Sequence, residues 1–224
     1  MSKGTFDPKT MKALPVGYDD FEDVIRKNRY YVDKTLLIKD LLDKGAQVNL
    51  FTRPRRFGKT LNMSMLEYFF ENGWDIRGTK MEYRHLFEGL DISECGDEYM
   101  KHQGKYPVIF LTLKGGKQRN WNLSFSSVRN QIAGEFERHY YIFENASLEK
   151  YRERYEKIMK CDFEDINDVQ SETWDDNQKV EYENRLESMY NSSIAFLSQC
   201  LYEYFNEKVI ILIDEYDVPL ETAY

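Results

Sequence analysis

The segment "VNLFTRPRRFGKTLNMSMLEYFF", residues 48–70, changes its hydrophobic pattern halfway along its length. Residues 47–52 form a short segment with β-strand propensity, which leads into a basic turn that contains Gly58, Lys59 and Thr60. After the turn, apolar side chains recur at helical spacing, at Leu61, Met65, Tyr68 and Phe69. The pattern predicts a strand, a tight basic turn and a helix, which is the setting of a phosphate-binding loop.

The turn matches the phosphate-loop pattern Gly-x-x-x-x-Gly-Lys-Ser/Thr at every position but the first, where Arg53 stands. In such a loop, backbone N–H groups and the start of the helix bind phosphate oxygens. The lysine reaches the outer phosphates, and the threonine hydroxyl completes the Mg²⁺ shell. A basic surface loop with a chance Gly-Lys-Thr is the alternative. The candidate nucleotide-binding residues are Arg53, Pro54, Arg55, Arg56, Phe57, Gly58, Lys59, Thr60 and Leu61.

A second motif, "VIILIDEYD" at residues 209–217, places two carboxylates after the most apolar strand of the chain. Open parallel sheets bind ligands at the carboxyl ends of their strands. A phosphate-loop enzyme needs an acidic residue beside Mg²⁺, and in many ATPases a glutamate follows it and polarises the attacking water. Asp214 is therefore predicted to join Thr60 as a metal ligand, and Glu215 to be the catalytic base with Lys59 as the catalytic cation.

Four segments together resemble the bacterial AAA-ATPase-like family: "YYVDKTLLIKDLL" (30–42), "FTRPRRFGKTLNMSML" (51–66), "YPVIFLTLKG" (106–115) and "ILIDEYDVPL" (211–220). The resemblance implies that an arginine in the first glycine position is the family's own form of the loop. It also implies ATP and Mg²⁺ as cofactors, with the residue roles given above. Members of the family often continue into a domain similar to PD-(D/E)xK nucleases.

The expected fold is α/β: a three-layer P-loop NTPase of the ASCE/AAA-like type with a mostly parallel sheet. Residues 1–46 are expected to form a lead-in with short helices, and residues 47–224 an incomplete NTPase core. A long helical insertion, residues 117–207, separates the second predicted strand, residues 106–115, from the third, residues 208–219. The continuous apolar strands are expected to be covered on both faces. Because no later strand or sensor residue follows, the chain is expected to be a C-terminally truncated fragment.

The net charge and the cysteine content limit which binding partners and which cellular location are expected. The net charge of −8 disfavours a nucleic-acid coat or a membrane-surface protein. The sequence offers no membrane-spanning stretch and no signal peptide, and its three cysteines are widely spaced, so a cytoplasmic protein is expected. ATP is the expected ligand, homo-oligomerisation is left open, and nucleic acid is considered a partner in a full-length context alone.

Several alternatives remain at this stage. The chain could be a nucleotide-responsive interaction module with negligible turnover, or a nucleic-acid-associated ATPase that uses its arginine cluster. The motif Asp33-Lys34-Thr35 favours a capping or salt-bridge role over contact with a nucleotide base. The aromatic residues of the insertion could form a partner surface, although periodic aromatics are more typical of a core.

Overall fold

A computed structural model describes residues 12–52, 57–74, 79–116, 121–160, 175, 177, 184 and 188–216. The chain forms two compact units: Met1–Gly73 with Glu82–Lys105, and Trp74–Met81 with Tyr106–Tyr224. Each unit is described by itself below. The expected division into residues 1–46 and 47–224 stays a prediction.

The first unit is helical in its described part. Its helices are α1 (Phe21–Arg26), α2 (Leu36–Lys44), α3 (Lys59–Phe70) and α4 (Asp97–Met100), with 3₁₀ turns at Arg84–Phe87 and Asp91–Glu94. Helix α1 begins after Asp20, whose carboxylate accepts a hydrogen bond from the Asp23 backbone N–H at 2.8 Å. Helix α2 ends at Gly45, where the left-handed φ of 57° suits glycine.

The first unit buries an aromatic core beneath these helices. The Phe21 ring of α1 lies 5.1 Å from Phe87, and the Phe69 ring of α3 lies 5.2 Å from Phe87. Ile38 of α2 and Met65 of α3 are also fully buried. Tilted and edge-on aromatic contacts of this kind add to the free energy of burial. The core therefore fixes α3, which carries the Gly-Lys-Thr motif at its start.

The predicted strand at residues 47–52 is wrong for the described structure, which has irregular coil there. Val48 is 86% exposed and Leu50 is 67% exposed. A strand needs a neighbour that bonds its backbone N–H and C=O groups, and none of the described residues forms a ladder with this segment. A β-prone sequence without such a neighbour stays unpaired.

The second unit contains the two strands found in the described part of the chain, β1 (Val108–Thr112) and β2 (Ile210–Asp214). They pair in parallel, with Val108 opposite Ile210 and Thr112 opposite Asp214. The second and third predicted strands and their parallel direction are confirmed, and their direct pairing is a finding of the structure. An α/β class is supported to this extent, whereas a complete three-layer P-loop sheet stays a prediction.

The described part of the insertion is helical and packs into one hydrophobic core. It contains α5 (Trp121–Arg138), α6 (Arg152–Met159) and α7 (Ser193–Phe205), with 3₁₀ turns at Tyr140–Glu144 and Ala146–Tyr151. Phe136, Tyr155 and Phe196 lie at its centre, and the Tyr155 ring is 4.5 Å from the Phe136 ring. The aromatics of the insertion thus form a core, which was the more typical of the two expectations.

Side chains at the end of α5 bond the free edge of β1. The Glu135 carboxylate accepts a hydrogen bond from the Phe110 N–H at 2.9 Å, and Arg138 donates to the Val108 carbonyl at 2.6 Å. The His139 ring nitrogen Nε2 lies 3.0 Å from the same carbonyl. Unpaired strand edges invite non-native pairing, and side-chain bonds remove that possibility. This edge of the sheet is closed by α5.

The expectation that apolar strands are covered on both faces is wrong for β2. Leu212 and Asp214 are buried, but the alternate residues Ile211 and Ile213 are 43% and 44% exposed. Helix α5 packs against β1, whose Ile109 and Leu111 belong to the aromatic core. Helix α5 and the aromatic core therefore cover β1 but do not extend over both faces of β2. The face of β2 that carries Ile211 and Ile213 is left in contact with solvent.

The helices in the described ranges include none that is both long enough and apolar enough to cross a membrane.

Candidate functional site

Helix α3 begins with the residues that the phosphate-loop pattern singled out. Gly58 is its N-cap, with φ 73° and ψ 29°, and Lys59 is the first helical residue. This left-handed backbone is why glycine is required at position 58. Space for a side chain is not the reason, since a Cβ at Gly58 would meet the Lys34 ammonium at an ordinary contact distance of 3.6 Å.

The N-terminus of α3 carries backbone donors without an internal acceptor. No described side chain caps the helix, and its first turn contains no acidic residue. The Asn62 N–H donates to the Gly58 carbonyl, which is the first hydrogen bond within the helix. The N–H groups before Asn62 therefore have no carbonyl acceptor inside the helix. A helix start with free N–H groups and a positive dipole end attracts anions such as phosphate. Lys59 and Thr60 stand in this first turn, both partly exposed.

Helix α3 is held in place by α1. The Asp20 carboxylate accepts hydrogen bonds from the Ser64 hydroxyl at 3.3 Å and from the Tyr68 hydroxyl at 3.0 Å. Burial and the adjacent Asp20 carboxylate raise the pKa of Tyr68, so its hydroxyl stays a donor at neutral pH. Ser64 in turn accepts a hydrogen bond from the Phe21 N–H at 3.0 Å. These bonds give the Gly-Lys-Thr turn a rigid support.

Asp33 and Thr35 connect α2 to the 3₁₀ turn at Asp91–Glu94. One Asp33 oxygen accepts from the N–H and the hydroxyl of Thr35 at 2.8 and 2.7 Å, and the other accepts from the Asp91 N–H at 2.8 Å. The Thr35 hydroxyl accepts from the Ile92 N–H at 3.1 Å. These bonds tie the segment before α2 to the 3₁₀ turn, whereas the capping role predicted for the motif is wrong for α2, because its N-cap residue Thr35 makes no side-chain capping bond. The side chain between Asp33 and Thr35, Lys34, points elsewhere: its ammonium lies 3.4 Å from the Phe57 carbonyl.

In the second unit, β2 ends on the two predicted carboxylates. Asp214 is 4% exposed, and its Oδ2 atom is buried without a hydrogen-bond partner in the described structure. Burying a carboxylate oxygen without a partner is costly, so a ligand for it is expected. Glu215 follows with a φ of 55°. Left-handed backbone at a residue other than glycine is uncommon, and such strain concentrates at functional sites.

The predicted site residues therefore fall into three groups. Phe57, Gly58, Lys59, Thr60 and Leu61 lie together at the start of α3 in the first unit. Asp214 and Glu215 lie together at the end of β2 in the second unit. Arg53, Pro54, Arg55 and Arg56 lie outside the described residues. That the first two groups act on one nucleotide stays a prediction.

The oxygen donors in these groups are of the type that Mg²⁺ takes. Magnesium is bound in nucleotide sites by one or two protein oxygens, substrate phosphates and waters. The Thr60 hydroxyl of the first unit and the unpartnered Asp214 Oδ2 atom of the second are each donors of this type. The described ranges contain no cluster of three or more His, Cys, Asp or Glu residues arranged for an all-protein metal site.

A Gly-Lys-Thr turn at a helix start and an acidic end of a parallel strand are features of nucleotide-binding α/β proteins. The chain belongs to the AAA-ATPase-like family: the family model, described as "Predicted AAA-ATPase", matches residues 15–224. The resemblance seen in the sequence is confirmed.

Among curated proteins, the chain is similar to one named "Uncharacterized protein in vnfD 5'region" from Azotobacter chroococcum mcd 1. The two are 32% identical over 110 residues, which is 49% of this chain and 18% of that protein. The chain thus spans about a fifth of the length of this relative. No solved structure matches the chain.

Lys34 is the residue that sequence reasoning missed. Its neighbours Asp33 and Thr35 suggested capping for the whole motif, and the lysine has no spacing relation to the phosphate-loop pattern. Its approach to Phe57 depends on how α2 packs relative to α3, which a local pattern does not show.

Proposed function

We propose that this chain binds ATP at the start of α3 and, as part of its complete protein, hydrolyses it to ADP and phosphate. The observation that carries the proposal is the uncapped start of α3, where Gly58 takes the left-handed conformation and Lys59 and Thr60 occupy the first turn. Membership in the AAA-ATPase-like family and the unpartnered Asp214 oxygen support it further.

Each residue has a separate part in the proposed reaction. The N–H groups at the start of α3 bind phosphate oxygens, and the Lys59 ammonium neutralises charge that develops on the γ-phosphoryl group. Thr60 and Asp214 would hold Mg²⁺, which supplies electrostatic stabilisation of the phosphates when bound. Glu215 accepts a proton from water as the water oxygen attacks γ-phosphorus. The bond to the β-phosphate oxygen breaks, and the leaving group is ADP.

The first test is a calorimetric titration of Mg·ATP into the chain and into Lys59→Ala. We expect Lys59→Ala to weaken binding at least about 100-fold, because a charge-assisted contact to phosphate is lost in a site built for it. Lys44→Ala is the matched control, since Lys44 is an exposed lysine in the last turn of α2. Equal binding by the chain and Lys59→Ala would contradict the assignment of the phosphate site.

The second test separates binding from hydrolysis. Glu215→Gln keeps the shape of the side chain but removes its capacity to accept a proton. We expect Mg·ATP affinity to change less than about threefold and phosphate release to fall about 100-fold or more. Phosphate release at the original rate in Glu215→Gln would show that another group is the base.

One observation favours a second function, a nucleotide-responsive interaction module with negligible turnover. Residues 47–52 are coil rather than a strand of the sheet, so in the described structure no paired strand leads into the Gly-Lys-Thr turn. Such a site can bind a nucleotide without placing its γ-phosphate next to a catalytic base. Tight Mg·ATP binding with no phosphate release by the unmodified chain would favour this function over hydrolysis.

A further inference from the structure

Lys34 brings a second ammonium group to the start of α3. Its Nζ atom lies 3.4 Å from the Phe57 carbonyl and 3.6 Å from the position of a Cβ at Gly58. Lys34 stands just before α2, in the segment where Asp33 and Thr35 accept hydrogen bonds from the turn at Asp91–Glu94. Both neighbours are therefore anchored, and they fix the backbone from which the lysine reaches the loop.

The charge of Lys34 is not neutralised locally. The described residues place no carboxylate within ion-pair distance of its ammonium, and Asp33 directs both of its oxygens to other donors. A single carbonyl at 3.4 Å is a weak partner for an ammonium group that has three donor protons. Other lysines of the unit, such as Lys27 and Lys39, are paired with Asp23 and Asp43 one helical turn away.

A capping role does not account for the position of the Lys34 side chain. The bonds that join α2 to its neighbouring turn come from Asp33 and Thr35, and Lys34 makes none of them. Its side chain is exposed and adds nothing to the buried core. What distinguishes Lys34 is its position beside the uncapped helix start, where Lys59 already provides one positive charge.

We propose that Lys34 is a second phosphate-binding cation of this site, complementing Lys59. The inference rests on the proposed function, because it assigns a further binding residue to the same nucleotide. Two ammonium groups at a helix start favour ligands with several adjacent phosphates. Lys34 should therefore contribute most to Mg·ATP, less to Mg·ADP and least to AMP.

The experiment is a calorimetric titration of Mg·ATP, Mg·ADP and AMP into the chain, Lys34→Met, Lys34→Arg and Lys44→Met. Methionine keeps the apolar stem of lysine without its charge, and arginine keeps the charge. We expect Lys34→Met to weaken Mg·ATP binding about 10-fold, while Lys34→Arg and Lys44→Met stay within about threefold. Thermal unfolding should be unchanged in all three variants, because both lysines are exposed.

A salt series distinguishes charge from loop support. If Lys34 acts through its charge, Lys34→Met should make Mg·ATP affinity less sensitive to salt between about 50 and 300 mM. A loss of affinity with the original salt dependence would show that the lysine only supports the Phe57 carbonyl, and it would overturn the proposal.

The remaining outcomes separate this inference from the proposed function. Loss of binding in Lys59→Ala with full affinity in Lys34→Met would overturn the role of Lys34 and leave the proposed function intact. Absence of Mg·ATP binding by the unmodified chain would contradict both.

Discussion

His139 is a buried imidazole whose two ring nitrogens are both bonded. Nε2 lies 3.0 Å from the Val108 carbonyl, and Nδ1 lies 2.9 Å from the Tyr141 hydroxyl. Burial and the adjacent Arg138 guanidinium hold the pKa of His139 well below 6.5. The Glu135 carboxylate lies 3.9 Å from His139 Nε2, but it is paired with Arg138 at 2.8 Å. It therefore does little to offset the lowering of the His139 pKa. The ring is therefore neutral in the folded chain at neutral pH.

This neutral ring predicts a loss of stability in mild acid. Below pH 6.5 the unfolded chain binds a proton at His139 that the folded chain does not bind. The free energy of unfolding should then fall by up to about 1.4 kcal/mol per pH unit. His139→Gln does not titrate, so its decline between pH 7.5 and pH 5 should be shallower in urea unfolding. His85→Gln, at an exposed position, is the control. Parallel curves for the chain and His139→Gln would contradict the assignment.

Helix α3 and strand β2 differ in how far sequence predicted them. The helical spacing of Met65 and Phe69 matched their burial, because both side chains face the core of their own unit. The unbroken apolar run of β2 gave the strand correctly but not the exposure of Ile211 and Ile213. A run of aliphatic residues shows that both faces of a strand are suited to burial. Whether both faces are in fact buried depends on which helices pack against the strand.

The alternation along β2 predicts opposite sensitivities at adjacent positions. Leu212→Ala removes a buried side chain and should lower the free energy of unfolding by about 2–4 kcal/mol. Ile213→Ala, at a half-exposed position, should cost about 1 kcal/mol or less. Urea unfolding of both variants measures the difference. Equal losses would show that a cover lies over Ile213 in solution, as the sequence pattern first indicated.

The whole chain carries a net charge of −8, which bears on the nucleic-acid alternative. Non-specific DNA binding comes from phosphate contacts to clustered basic residues and weakens steeply with salt. We expect fluorescence anisotropy to show no saturable binding of duplex DNA below about 100 μM protein at physiological salt. Salt-sensitive binding that the double variant Arg55→Ala and Arg56→Ala removes would contradict this expectation and favour a nucleic-acid-associated ATPase.

The sequence by itself determined the family, the helix start at Gly58 to Thr60, and the apolar segments that form β1 and β2. These follow from local causes: a glycine for a left-handed backbone, apolar spacing for a helix, and aliphatic runs for strands. Tertiary structure alone decided that residues 47–52 pair with none of the described residues, that Ile211 and Ile213 of β2 are exposed, and that Lys34 reaches the Gly58 turn. Each of these depends on which distant segment packs alongside, and no local spacing in a sequence specifies its neighbour in space.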